Sequence, residues 1–178
     1  MTTIVDSWGG NGSNAYVSLT AASSFITTGV VDSAAWTSAT TIQQEAALIE
    51  AARDIDSRQF IGSRYYSQQQ MEWPRAIPPA GTFRTSAVDP TATSYIQQRM
   101  KTQVQCANCI QALYLLRNGG RNQHTEARAS GAVRVKEEVG PIKTEYHYGK
   151  GGGNLSILCP EAISYLSPWL TTRKAFRG

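Results

Sequence analysis

The sequence predicts a mainly α-helical protein: a small helical bundle with one β-hairpin and a C-terminal extension. Three observations lead to this fold class. Apolar residues recur at helical spacing over about 40–59 and again over about 90–116. Residues 132–148 instead alternate between apolar and polar types around a Gly-Pro turn, a pattern typical of a hairpin. With 178 residues, the chain is most simply one domain over 1–168 followed by a tail over 169–178.

Two helices are expected in the first third of the chain. Ser18 is a good N-cap for a short helix over about 18–28, which Gly29 would end. A second helix over about 40–59 would bury a stripe of apolar residues at helical spacing: Ile42, Ala46, Ile49, Ala52 and Ile55. Its polar residues would then face solvent, among them Gln43, Glu50, Arg53 and Asp54.

Residues 60–92 show no periodicity and should form a long loop. Pro74, Pro78 and Pro79 prevent a continuous helix because proline lacks an amide donor and clashes with the preceding turn. Loops of this length are usually functional, disordered or held in place by large side chains. We expect the third case here, with the loop held by Tyr65, Tyr66, Met71 and Trp73.

The longest helix is expected over about 90–116, where Gly119-Gly120 would end it. Its apolar stripe should form the core seam against the helix over 40–59: Ile96, Met100, Val104, Ala107, Ile110 and Leu113 or Tyr114. The polar residues between them should face solvent: Gln97, Gln98, Lys101, Gln105, Asn108 and Gln111.

A hairpin over about 132–148 follows, with its turn at Val139-Gly140-Pro141. A lone two-stranded hairpin is only marginally stable, so this one should pack on the helices or on a neighbouring subunit. Residues 149–153 are rich in glycine and indicate a flexible linker. Pro160 then opens a short helix over about 160–167.

The sequence offers no apparatus for catalysis, so we expect no enzyme and no cofactor. It contains two histidines and lacks a nucleophile elbow. Cys106 and Cys109 could supply only two of the four ligands of a zinc site, and they are more simply explained as small buried residues. The segment Gly149–Gly153 lacks the following helix that a phosphate-binding loop needs, which favours a hinge.

Charge is unevenly distributed along the chain, whose net charge is +4. Acidic residues predominate in the first half and basic residues in the second, yet the basic residues are scattered and rarely alternate with aromatic ones. Evidence for nucleic-acid binding from charge is therefore weak. We expect no signal peptide and no membrane span, and the three cysteines favour reduced thiols in a cytosolic folding environment.

Five separated segments of the chain follow one another in a characteristic order and spacing: Asn14–Leu19, Glu45–Asp56, Trp73–Arg75, Val133–Lys143 and Pro160–Ala162. None of the five is a catalytic motif. Their order and spacing together resemble the head-tail connector, or adaptor, proteins of tailed bacteriophages, a family often labelled DnaT-like single-stranded-DNA-binding, and the resemblance covers roughly residues 14–170.

The resemblance implies a structural virion protein in the neck, made in the cytoplasm of the host bacterium. Such proteins form a ring, typically of twelve copies, between the portal and the tail or its completion protein. Genomic double-stranded DNA passes through the ring without sequence-specific binding. The C-terminal tail would dock on the portal through Trp169, Arg173, Lys174, Phe176 and Arg177. The hairpin would contact a neighbouring subunit or the tail through Arg134, Lys136, Tyr146 and Tyr148.

Two other functions stay open. A single-stranded-DNA-binding accessory protein would need aromatic side chains on a basic groove, so that bases can stack. Tyr146, Tyr148 and Arg134 are the only plausible cluster of this kind. A tail-completion or tail-terminator protein would also form a ring, but it would attach to the tail tube.

Overall fold

The computed structural model describes residues 3–77, 95–119, 134–139, 142–147 and 158–171. Over these residues the protein is mainly helical with a two-stranded hairpin, as predicted. The helices are α1 (Leu19–Gly29), α2 (Ala34–Ser38), α3 (Thr41–Asp56), α4 (Tyr95–Arg117) and α5 (Pro160–Leu166), with a 3-10 helix over Ser167–Trp169. The strands are β1 (Ser63–Arg64), β2 (Arg75–Ala76), β3 (Arg134–Val139) and β4 (Ile142–His147). None of the described helices is long and apolar enough to cross a membrane.

Side-chain caps set the starts of the first two long helices. Ser18 caps α1 by accepting a hydrogen bond from the Ala21 amide at 3.3 Å, which confirms its predicted role. Thr40 and Gln43 form a capping box at the start of α3. The short helix α2 was not predicted, because five residues give too little periodicity to detect; it is fixed by the buried Trp36.

Helix α4 is the centre of the bundle, and two apolar clusters lie along it. Its first half packs on the C-terminal half of α3 and on α5, and its second half packs on α1, α2 and the middle of α3. The predicted seam is confirmed for Met100, Val104 and Ala107, which are buried beside α3, while Ile110 is half-buried. The side chain of Ile96 lies outside the described part of the protein.

The predicted stripe on α3 is wrong in its first two turns. Ile42 is 55% exposed and Ala46 is also exposed, whereas Ala47, Leu48 and Ala51 are buried. The first turns of α3 lie level with the end of α4, since Ala46 and Ala47 line the same cleft as Leu115 and Gly119. The end of α4 therefore leaves the outer face of these turns uncovered.

Three polar residues predicted to face solvent are instead buried: Asp54 on α3, and Asn108 and Gln111 on α4. Asn108 donates to the Leu48 carbonyl at 3.0 Å and accepts from the Tyr16 amide at 3.2 Å. Gln111 donates to the Asp54 carboxylate at 2.9 Å and accepts from the Cys159 amide at 2.8 Å. These side chains satisfy polar groups that other elements bring against α4, and this offsets the cost of their burial.

The loop after α3 is held by large side chains, as predicted. Met71 and Trp73 are buried and Tyr65 and Tyr66 are half-buried, while β1 pairs antiparallel with β2. The Trp73–Pro74 peptide bond is cis. Gly62 has a φ of +74°, and a Cβ atom there would lie 2.1 Å from the Ala76 carbonyl oxygen, so the close approach of the two chain segments requires glycine.

Candidate functional site

The hairpin is the first candidate interaction site. Strands β3 and β4 pair antiparallel, with Arg134 opposite His147 and Val135 opposite Tyr146. Within the described ranges these two strands pair only with each other, so both outer edges of the sheet carry unpaired backbone groups. The register also places Lys136 opposite Glu145 and Glu138 opposite Lys143. Tyr148 lies outside the described residues, and the roles of Arg134, Lys136, Tyr146 and Tyr148 stay predictions.

The second candidate site is the C-terminal segment. Trp169 packs edge-on against Trp73 with 6.4 Å between ring centres, and its indole nitrogen donates to Gln103 at 2.7 Å. The Ile61 amide donates to the Trp169 carbonyl at 2.9 Å, and the Thr171 amide donates to the Gln59 carbonyl at 3.0 Å. These contacts join residues 169–171 to the rest of residues 3–77, 95–119 and 158–171, which together are called the helical body below. The predicted division of the chain at residue 168 stays a prediction.

The remaining members of the predicted portal-docking set lie outside the described residues: Arg173, Lys174, Phe176 and Arg177. Their role stays a prediction. Trp169 belongs to the helical body, where it is half-buried, so its ring is largely occupied by contacts within the chain.

Four of the five sequence segments that carry the resemblance contribute to one apolar cluster beside α4, through Tyr16, Ala52 with Ile55, Trp73 and Ala162. The buried Tyr16 donates its hydroxyl proton to Asp56 at the end of α3, and the Glu72 amide donates to the same carboxylate at 3.3 Å. Gln105 of α4 donates to the Tyr16 carbonyl at 3.1 Å. These contacts fix the leader segment and the loop after α3 onto the bundle.

The Arg75 side chain holds the loop after α3 together through hydrogen bonds. It is buried, and its guanidinium donates to the carbonyls of Ile61 at 2.9 Å and Gly62 at 2.6 Å. It also forms an ion pair with Glu72 and lies 5.9 Å from the centre of the Phe60 ring. One planar cation thus provides several donors to the carbonyls of a non-helical turn.

Asp56 gives the loop junction a measurable pH dependence. Burial raises the pKa of Asp56 from 3.8 to about 6, so the folded chain holds this proton at a higher pH than the unfolded chain. Stability from this group is greatest below pH 4 and is lost as the pH rises through 6. Asp56→Asn keeps an acceptor oxygen for Tyr16. Relative to the parent chain, it should therefore gain about 1–3 kcal/mol of unfolding free energy between pH 4 and pH 7.

Chemical denaturation at several pH values measures this difference. Asp6→Asn, at an exposed position, is the matched control and should leave the pH profile of unfolding almost unchanged. A constant difference between Asp56→Asn and the parent chain across this range would contradict the assignment.

The three cysteines contribute to the packing of the interior. Cys109 and Cys159 are buried and Cys106 is half-buried. Burial raises the pKa of the Cys109 thiol to about 12, so the thiol stays protonated. In the part of the chain that the structure describes, His, Cys, Asp and Glu side chains form no group of three or more that could hold a metal ion.

Comparison with known proteins identifies the family of this chain. A family model described as "Putative DnaT-like ssDNA binding protein" matches residues 1–177. The chain belongs to this family. Comparisons with curated proteins and with solved structures give no match.

A protein that binds single-stranded DNA stacks the bases on exposed aromatic side chains. Every aromatic ring whose burial the structure describes is buried or half-buried. The Trp8 ring, for example, packs edge-on against Tyr16 at 6.0 Å, and the Lys101 ammonium lies 5.9 Å from its centre. The described side chains therefore form no open platform on which several bases could stack.

Charge within this DnaT-like protein is segregated by segment. Residues 3–77, 95–119 and 158–171 together carry seven Lys or Arg and eight Asp or Glu. Strands β3 and β4 carry three of each sign. The positive net charge of the chain therefore comes from residues outside the described ranges, including the sequence over 172–178.

Proposed function

We propose that this DnaT-like protein is a structural head-tail connector of a tailed bacteriophage. It would form a ring, typically of twelve copies, between portal and tail in the virion neck, after synthesis in the host cytoplasm. The ring would extend the DNA channel and provide the platform for tail attachment. A tail-completion role differs from this only in the partner that the ring binds.

The observation that carries this proposal is the two-stranded sheet of β3 and β4, whose outer edges are unpaired within the described residues. A hairpin of this size is marginal alone, and unpaired strand edges readily pair with another chain. The alternation of Lys and Glu across the two strands also favours contact with protein surfaces of mixed charge over contact with a phosphate backbone.

Weak electrostatic attraction between the helical body and DNA suits a channel. A ring that DNA must pass through should not hold the phosphate backbone tightly. Each Lys or Arg that contacts a phosphate releases a counterion from the DNA, and this release strengthens binding. The helical body carries a slight excess of acidic residues, which is consistent with passage of DNA without tight binding.

Deleting residues 172–178 tests the predicted docking tail, since the contacts of Trp169 and Thr171 with the body remain. The truncated protein should keep its melting temperature and lose co-assembly with purified portal rings, because a few anchors usually carry most of the binding energy at an interface. Size-exclusion chromatography and electron microscopy measure the joint complex. Full-length protein alone should run mainly as a monomer.

The matched control for this deletion is Thr172→Ala, which should co-assemble like the parent chain. A complex that is equally abundant with truncated protein would move the docking site to the hairpin. Failure of the full-length protein to join either a portal ring or a tail would count against a connector.

Single-stranded-DNA binding is the second candidate, and the family description favours it more directly than it favours a connector. The residues for this function would be Arg134, Tyr146 and Tyr148 of the hairpin, with two tyrosines able to stack on bases. Such a protein would act beside replication and not in the virion.

Oligonucleotide binding separates the two candidates. For a connector, we expect weak binding of a single-stranded oligonucleotide that decreases steeply with salt, because only charge contributes. Fluorescence anisotropy at low and at physiological salt measures it. Submicromolar binding that persists at physiological salt and is lost in Tyr146→Ala, but not in Tyr165→Ala, would establish the second candidate.

A further inference from the structure

The register of the hairpin separates its residues into two unlike faces. Residues that lie opposite each other in an antiparallel pair share a face, and successive residues along a strand alternate between the two faces. Four apolar or aromatic residues therefore share one face, called the apolar face: Val135, Val139, Ile142 and Tyr146. The other face, called the charged face, carries six ionisable residues: Arg134, Lys136, Glu138, Lys143, Glu145 and His147.

The two faces have opposite requirements. On the charged face, Lys136 lies opposite Glu145 and Glu138 lies opposite Lys143, so positive and negative positions alternate and this face suits contact with water. The apolar face needs a cover, because a lone two-stranded hairpin is only marginally stable in water. Glu137 is the single charged residue on the apolar face, and in a two-stranded sheet it lies on an edge, where a contact can leave it in water.

A second apolar surface is exposed on the helical body, where a cleft opens between the first half of α3 and the end of α4. Its volume is about 370 Å³, and its apolar lining comes from Ala46, Ala47, Leu115 and Leu116. Ile42, one turn before Ala46 and 55% exposed, extends this surface along α3. A charged surface that entered the cleft would lose its hydration without gaining partners from these residues. The cleft therefore suits the apolar face of the hairpin and not the charged face.

The sheet face is large enough to cover the cleft. A six-residue strand is about 20 Å long and two strands are about 10 Å wide, whereas α3 rises about 12 Å between Ile42 and Glu50. A contact of this size covers about 200 Å² on each copy, compared with ~800 Å² per partner in stable complexes. One such contact is therefore weak, in accord with the monomer that we expect for the free protein.

The two surfaces differ from each other, so a contact between two copies would use the hairpin of one and the cleft of the other. A head-to-tail contact of this kind repeats from copy to copy and closes into a ring if its rotation allows. We propose that the apolar face of the hairpin docks in the α3–α4 cleft of a second copy of this chain. The inference rests on the proposed function, because it names the contact that would join neighbouring copies in the ring. Of the predicted hairpin residues, Tyr146 then belongs to the contact, while Arg134 and Lys136 belong to the face in water.

Two variants test the two halves of the contact separately. Ile142→Arg places a charge on the apolar face, and Ala46→Arg places one at an exposed position of the cleft. In the parent chain, the methyl NMR signals of Leu115 and Leu116 should shift as the protein concentration rises, and each variant alone should lose this shift. Lys143→Ala, on the charged face, is the matched control and should behave like the parent chain.

Mixing the two variants gives the decisive measurement. Isotope-labelled Ile142→Arg keeps its cleft and unlabelled Ala46→Arg keeps its hairpin, so the mixture should restore the shift of Leu115 and Leu116. This result does not require a folded hairpin in Ile142→Arg, because only the cleft of that copy is used. The methyl signal of Ala162, on α5, should stay in place throughout.

Two outcomes would overturn the proposal. A mixture that behaves like the separate variants would exclude the contact between copies. Signals of Leu115 and Leu116 that differ between Ile142→Arg and the parent chain at every concentration would place the hairpin in the cleft of its own molecule.

Co-assembly with portal rings separates this contact from the proposed function. If mixing restores the shift but the parent chain joins neither a portal ring nor a tail, the contact stands and the connector function fails. If the parent chain shows no shift and Ile142→Arg joins portal rings as well as the parent chain does, the contact fails and the connector function stands.

Discussion

Replacing Val104 by Asp should prevent folding or lower the free energy of unfolding by several kcal/mol. Val104 is fully buried on α4, in the cluster that contains Ala52 and Ile55 of α3 and Leu166 of α5. A carboxylate placed among these apolar side chains has no cation to pair with, and the loss of solvation is costly. Thermal and urea denaturation followed by circular dichroism measure the loss.

The exposed Thr102, two positions earlier on α4, provides the matched control. Thr102→Asp should change stability by no more than about 0.5 kcal/mol, because substitutions at exposed sites are usually tolerated. Val104→Ala should give an intermediate loss through the cavity that it leaves. An unchanged melting temperature for Val104→Asp would show that α4 does not pack on α3 through this residue.

Arg75→Met should cost about 3 kcal/mol of unfolding free energy and loosen the loop over 60–77. Methionine fills much of the same volume, but it leaves the carbonyls of Ile61 and Gly62 without their donors. It also removes the buried cation that pairs with Glu72, although Arg64 still contacts this carboxylate, so most of the loss should come from the carbonyls. Denaturation curves and amide hydrogen exchange of residues 60–76 measure the two effects.

Arg64→Met separates the role of Arg75 from that of a surface charge. Arg64 also binds Glu72, at 2.9 Å, yet its side chain is 49% exposed, so its loss should cost less than about 1 kcal/mol. Equal losses in the two variants would mean that the carbonyl contacts of Arg75 contribute little.

The helical spacing of apolar residues predicted the long helices well, because a long helix buries one face over several turns. The stripe of Met100, Val104 and Ala107 repeats over several turns, and the N-cap Ser18 marks the start of α1. The same method misjudged Asp54, Asn108 and Gln111. A polar side chain is expected to face solvent when its hydrogen-bond partners are not known. The partners of these three residues lie in distant segments of the chain, so no local sequence pattern reveals them.

The candidate site was predictable to a similar degree. Alternation and the Gly-Pro turn predicted the hairpin, whose strands the structure places over 134–139 and 142–147. Trp169 was assigned to a free tail because aromatic residues beside cations are typical of docking segments. Its hydrogen-bond partner Gln103 lies 66 positions away, and Trp73 lies farther still, so the sequence alone could not reveal this packing.

The antiparallel contact between residues 59–61 and 169–171 has a consequence for how the protein is made. The aromatic cluster of Phe60, Trp73 and Trp169 can close only after the ribosome has added the last of these residues. Until then the emerging chain exposes Phe60 and Trp73 on a loop that lacks its cover. The bundle therefore completes its core after translation has passed residue 171, and nascent chains shorter than this present an apolar surface that chaperones recognise.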